Sequence, residues 1–424
     1  MKRNAARNSL PRYEASSCSL KIGSSYNFSS YRSSVKFVPS MDFANSSHKS
    51  RWMFTADQLV CMRSKIRKEG LASGERSSKS AKGSEDCNAG LIDNDITATS
   101  SSSVSLEDQL KVLRFYERQI MKLCATLNYP PKVKATAIMY LKRFYLIHSC
   151  LTHDPARLML TSVYLAGKIE ESYIGAEEFC KLMKQDPKAV LGSEVLLLQG
   201  LSFDLIIHSP YRALQGLIEE ICGSRTAGQA GDNKDLLSSH SSLVMSTTSP
   251  PPPLEDALST ASNDQIEKWR LRSVSAIDAL MLSDAPLQYP PGQLALAALR
   301  SSLRASGIPI PKFLHRIVCK SLSMSTEDQD MRDSVDQQAH QINMLVSALD
   351  DIDRLGAAGS QKVDEEEVRA IDLRLKTMRA QSNAETEDVA AGEAEKAERR
   401  EAKLRARKEK QAASEARILG VVQQ

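Results

Sequence analysis

The pattern that most constrains this chain occurs twice. "DPARLMLTSVYLAGK" begins at Asp154 and "PPGQLALAALRSSLR" at Pro290. With Pro155 set on Pro291, Leu158 falls on Leu294, Leu160 on Leu296 and Lys168 on Arg304. Each copy places Pro in a first helical turn, where its missing N–H removes no helix bond. Each continues with apolar and small residues at helical spacing. Upstream, "IEKWRLRSVSAIDALML" occupies the place that "ATAIMYLKRFYL" holds in the first copy. A duplicated helical unit explains all of this.

The first copy spells out the unit. Leu106 to Leu127 has Leu110, Leu113, Ile120, Met121 and Cys124 on one side. Pro130 and Pro131 open a second helix, and Asp154 with Pro155 cap and open a third that ends near Glu171. "GAEEFCKLM" and "PKAVLGSEVLLLQGL" add two more. No convincing strand alternation interrupts them. The fold class is therefore all-α, with two tandem five-helix repeats at 105–208 and 209–356. Thr55 caps a helix over "TADQLVCMRSKIRKE", within an extension spanning 46–69. Residues 70–104 read as a linker. Residues 223–262, with Pro250 to Pro253, read as a disordered insertion in the second repeat. A further helix covers 357–382, and a charged tail without an apolar stripe covers 383–424.

Composition narrows the function classes. A net charge of +4 gives no global pull toward nucleic acid. The eight scattered cysteines form no CxxC, which suits reduced thiols and no zinc ribbon. No apolar run is long enough to span a membrane. Residues 1–45 are a basic, Ser-rich arm: disordered, a targeting segment, or sequence ahead of a start at Met41. There is no phosphate loop, GxGxxG, HExxH, GxSxG or kinase catalytic loop, so no catalytic residue, cofactor or metal is assigned. His148, Cys150 and His153 lack an evident fourth ligand and read as ordinary loop side chains.

"LAGKIEES" (Leu165–Ser172), followed by "VLGSEVLLLQGLSFDL", resembles the cyclin box. Lys168 and Glu194 stand at its two characteristic charged positions. "SSHKSRWMFTADQLVCMRSKIRK", "VLRFYERQIMKLCATLNYPPKVKATAIMYLKRFYL" and "VDEEEVRAIDLRLKTM" are similar to cyclins of the H type. The first helix lacks the Met-Arg-x-x-Leu peptide-docking motif of cell-cycle cyclins. The resemblance implies a regulatory subunit that binds and activates a cyclin-dependent kinase, without catalysis of its own. It also implies a RING-finger assembly factor and the TFIIH core as partners, a nuclear location, and no direct nucleic acid or membrane contact. Substrates would be cell-cycle kinases and the RNA polymerase II C-terminal domain.

A kinase needs its β3 Lys paired with the Glu of its αC helix, and a partner that binds this arrangement better shifts the balance toward it. The expected docking residues are Lys168, Ile169, Glu194, Leu198, Phe203 and Leu205, with Trp52 and Phe54 contributing from the extension. Lys168 and Glu194 would hydrogen-bond the kinase backbone ahead of that helix. Three other readings stay open: a surface ion pair with no partner, a transcriptional cyclin of C, K, L or T type, and a TFIIB-like DNA-binding protein.

Overall fold

The structure, a computed structural model, describes residues 43–76, 104–172, 174–229, 254–323, 331–361 and 364–421. Most of the basic arm and much of the linker and insertion lie outside these residues. Helices alone form the described regular structure. A 3-10 turn at Phe43–Asn45 leads into α1 (Ser47–Arg51) and α2 (Ala56–Arg76). Thr55 caps α2 as expected: its hydroxyl accepts from the Gln58 N–H at 3.3 Å, and the Gln58 side chain returns the bond at 2.9 Å.

Structure departs from sequence expectation at both ends of this segment. Phe43 to Asn45, read as part of the arm, are ordered against the extension. Helix α2 runs through Gly70 to Arg76, into what composition marked as linker. Gly70 sits on the 149–151 loop, and a Cβ there would lie 2.7 Å from Ser149 Oγ. The glycine that suggested flexibility instead permits a close approach.

The first box comprises α3 (Leu106–Thr126), α4 (Pro131–Phe144), α5 (Pro155–Ile169), α6 (Ala176–Met183), α7 (Pro187–Gly192) and α8 (Glu194–Gly200). Ser105 and Asp108 close a capping box on α3. Helix α4 runs through the middle, its residues from Ala135 to Phe144 all buried. Two expectations need correction. "PKAVLGSEVLLLQGL" is broken at Ser193 into α7 and α8. Asp154 occupies the N-cap position of α5 but makes no capping bond. Its carboxylate instead accepts from Arg379 at 3.1 Å.

The second box comprises α9 (Pro210–Gln229), α10 (Asp256–Ser259), α11 (Asn263–Met281), α12 (Ala285–Gln288), α13 (Pro291–Arg304), α14 (Pro311–Ser323) and α15 (Met331–Gly359). The helices that carry the duplication, α5 and α13, are both buried along most of their length. The borders of the 223–262 insertion are ordered, contrary to expectation. Helix α9 continues to Gln229. Leu254, Leu258 and Ala261 are buried, and the Glu255 carboxylate accepts from the N–H groups of Lys312 and Phe313 at 2.6 and 3.1 Å. A carboxylate at these unpaired amides satisfies the first turn of α14.

Helix α16 (Glu365–Val421) closes the chain without the break expected near 382. Its start docks on the first box. Tyr116 Oη donates to Asp372 at 3.0 Å, Lys111 pairs with Glu367 at 2.8 Å, and Arg379 donates to the Cys150 carbonyl at 2.6 Å. The two boxes are tied by Lys134–Asp278 at 2.5 Å, and Arg63 of α2 grips Asp284 of the second box with two bonds of 2.7 Å.

Candidate functional site: a docking surface at the end of the first box

Three charged residues at and just past the end of α5 do different work. Glu170 turns inward: it accepts from Thr136 Oγ1 at 2.6 Å, and Lys132 approaches it at 3.5 Å. That residue serves the fold. Glu171 is exposed in a left-handed conformation, φ 55°. Lys168 reaches across to Glu194 at the first turn of α8, and its Nζ also lies 5.2 Å from the centre of the Tyr164 ring. The Lys168 side chain keeps 38% of its surface in water and that of Glu194 keeps 15%. The ion pair weighed from sequence alone therefore exists, at the rim of the molecule.

Exposed apolar residues adjoin the two members of the pair and recur past the end of α8. Ile169 is 39% exposed, Val195 59%, Phe203 64% and Ile206 46%. Leu198 and Leu205 are half-buried against the core, so they support the surface more than they form it. Val195 and Ile206 were missed from sequence. Their signal is periodicity: Val195 lies on α8 between the inward-facing positions Ser193 and Leu197. Large exposed apolar side chains held on rigid elements mark an interaction site.

Phe203 owes its exposure to backbone geometry. Ser202 and Phe203 both adopt positive φ, 51° and 59°. Left-handed conformations cost L-residues on the order of 1 to 2 kcal/mol each. The turn is pinned by Phe203 N–H to the Leu198 carbonyl at 3.0 Å, and by Tyr140 Oη to the Leu205 carbonyl at 2.7 Å.

The extension docks behind this turn. Trp52 is buried, and its indole N–H donates to Asp204 Oδ2 at 2.9 Å. Arg51 pairs with the same carboxylate at 2.8 Å. Phe54 is half-buried, and its N–H donates to the Leu287 carbonyl in the second box at 2.8 Å. Arg143, wholly buried, stacks on the Trp52 ring at 4.9 Å and donates to the Asp204 carbonyl at 3.2 Å. Burial pulls its pKa down to about 9, which leaves it charged at neutral pH. His48 Nδ1 accepts from the His208 N–H at 3.2 Å, so His48 is neutral; burial, with the charges of Arg143 and His208, lowers its pKa to about 3.

His148, Cys150 and His153 make no ligand set. His148 stacks on Phe144 at 4.4 Å, His153 meets it edge-on, and burial pushes the Cys150 thiol up to about 12. Among the described residues no group of three or more His, Cys, Asp or Glu is placed to hold a metal ion. No described helix is long and apolar enough to cross a membrane.

Two tandem helical boxes with a charged pair joining the end of α5 to the start of α8 define a cyclin-type fold, and the comparisons agree. Residues 97–206 match the family described as Cyclin, N-terminal domain. Cyclin-H1-1 of Arabidopsis thaliana is 32% identical over 298 residues, covering 68% of this chain and 79% of that protein. Cyclin-H of Xenopus laevis is 27% identical over 234 residues, covering 53% of this chain and 61% of that protein. A chain in the solved CAK complex of Chaetomium thermophilum superposes with a TM-score of 0.53 at 20% identity, covering 80% of this chain and 88% of that one. That last likeness concerns the fold. This chain belongs to the cyclin family, in its cyclin H group.

Proposed function

We propose that this chain is the regulatory subunit of a CDK-activating kinase, binding a cyclin-dependent kinase through the end of its first box. The observation that carries the reading is the Lys168–Glu194 pair with exposed Ile169 and Val195 next to its two members, followed along the chain by exposed Phe203 and Ile206. The exposed apolar side chains would pack on the kinase αC helix and favour its inward position, where its Glu meets the β3 Lys. Lys168 and Glu194 hold each other in place before the partner arrives. On docking, the ammonium would donate to backbone carbonyls and the carboxylate accept from backbone N–H groups. The chain supplies no catalytic group. The reading also takes in a RING-finger assembly factor and the TFIIH core as partners, a nuclear location, and cell-cycle kinases and the RNA polymerase II C-terminal domain as substrates; the likeness to cyclins of the H group supports it.

The test is a pair of measurements on Lys168→Ala and Glu194→Ala. Each should cost about 1 kcal/mol of folding stability, since Lys168 keeps 38% of its side chain in water and the pair is partly screened. Each should weaken kinase binding about five- to hundredfold, because unpaired backbone groups would be left in a dry interface. Kinase purified with this chain and found to bind both variants normally would overturn the docking surface. Phosphotransfer by the isolated chain would overturn the regulatory role.

A further inference from the structure

We propose that residues 43–54 form a strap that sets how Phe203 is presented to the partner, with Trp52, Arg143 and Asp204 as positioning residues. This rests on the docking reading above and adds a device to it. Phe203 and its neighbour Ser202 are both left-handed, and a ring 64% exposed gains nothing from the core to hold it there. The restraint is applied one residue later. Asp204 is gripped on its carboxylate by Trp52 and Arg51, and on its carbonyl by Arg143. Four residues beyond, His48 holds the His208 N–H. The strap therefore fastens both ends of 204–208, the segment that carries Ile206 outward and leads into the second box.

Arg143 makes the arrangement cooperative. Its Nε and Nη2 have no hydrogen-bond partner, although the side chain is wholly buried. The Trp52 ring face is what covers this charge. If Trp52 lifts away, Arg143 is left with a single carbonyl, and the Asp204 carboxylate loses its indole donor. The turn can then relax from its left-handed pair toward ordinary backbone. Partner affinity falls by the fraction of molecules that retain the presenting turn.

The experiment is a double-mutant cycle on the full chain, read as the dissociation constant for the cyclin-dependent kinase that co-purifies with it. Trp52→Phe keeps a ring over Arg143 and removes the indole donor. Asp204→Asn serves as a second variant that keeps an acceptor but removes the charge, should Trp52→Phe fold poorly. Each should weaken binding about three- to tenfold, the scale of one lost hydrogen bond. In a Phe203→Ala background the same changes should have little further effect, because the residue they position is gone. Ile169→Ala, away from the strap, reports on the docking surface itself. If Ile169→Ala weakens binding while Trp52→Phe and Asp204→Asn leave it unchanged, or act equally in both backgrounds, the strap has no positioning role. If Ile169→Ala and Phe203→Ala both bind normally, the docking surface itself is wrong and the proposal falls with it. A merely structural strap would lower the melting temperature without coupling to Phe203.

Discussion

Lys142 and Glu117 form an ion pair in which both side chains are almost wholly out of water, 6% and 4% exposed, at 2.9 Å. Substituting Lys142→Met keeps most of the apolar stem and removes the ammonium. Glu117 is then a buried carboxylate without its cation. Burial already holds its pKa above the usual carboxylate range, with Lys142 pulling the other way. Breaking such a pair costs about 3 to 5 kcal/mol near neutral pH. The pH dependence has a definite sign. A carboxyl whose folded pKa is raised binds more protons folded than unfolded, so stability falls as pH climbs above the unfolded value of about 4.3. Lys142→Met raises the folded pKa further and widens that window. The slope can reach about 1.4 kcal/mol per pH unit for one proton. The variant's deficit against wild type should therefore be small at pH 4.5 and large at pH 7.5. Replacing both residues by apolar ones (Lys142→Met with Glu117→Leu) should recover most of the loss or exceed wild type, since neither desolvation penalty remains. Urea unfolding of the full chain at the two pH values measures this. A deficit below about 1 kcal/mol at pH 7.5, or one equal at both pH values, would show that water reaches the pair and that its burial is not the controlling term.

Gly200→Ala places a Cβ 2.5 Å from the buried Phe144 ring, and should lower stability by about 1 to 3 kcal/mol; an unchanged melting temperature would contradict the close approach of α8 to α4. Replacing residues 230–253 by a short linker should leave the melting temperature within a few degrees of wild type. Extending the deletion through 262 removes buried Leu258 and the Glu255 cap, and should cost at least about 2 to 5 kcal/mol; equal tolerance of both deletions would refute this. His48 is buried neutral with a pKa near 3, so its contribution is complete above the unfolded value of about 6.5 and is lost as pH falls toward 3. Wild type should therefore lose more stability between pH 7.5 and 5 than His48→Asn does, by up to about 1.4 kcal/mol per unit; parallel losses would argue against a neutral buried ring.

The duplicated helices were legible because a Pro-started apolar run carries both its boundary and its buried face in local sequence. Pro131, Pro155 and Pro291 each open a helix as expected. The Lys168–Glu194 pairing, weighed from sequence only as the alternative to a partner contact, is present, since it needs only two helix ends brought together. What failed was decided at a distance. Gly70 looked like linker because composition cannot reveal a neighbour such as Ser149. Asp154 looked like a cap because the sequence does not announce Arg379, more than two hundred positions away, as a competing donor. Leu254 and Glu255 were lost in a Ser- and Pro-rich stretch, although two acids set between Leu254 and Leu258 were the one available signal of a docked end. Asp204 gave no signal at all, since its importance comes from Trp52 arriving out of the extension.

Helix α4 has no face open to water from Ala135 to Phe144. On one side it meets Glu117 of α3, on another the 204–205 turn, and at its start Asp278 of the second box. Its amide hydrogens can therefore exchange with solvent only when both boxes come apart, whereas those of the short α1 and the outer turns of α16 exchange by local fraying. The molecule breathes from its two ends toward a centre that stays shut. A partner seated on Phe203 and Ile206 rests on the boundary between these regimes, with a slow helix beneath it and a fast strap behind it. Occupancy of that surface should be recorded most strongly in the exchange of the strap, while the α4 amides, already limited by whole-domain opening, slow only as much as the complex is stabilised overall.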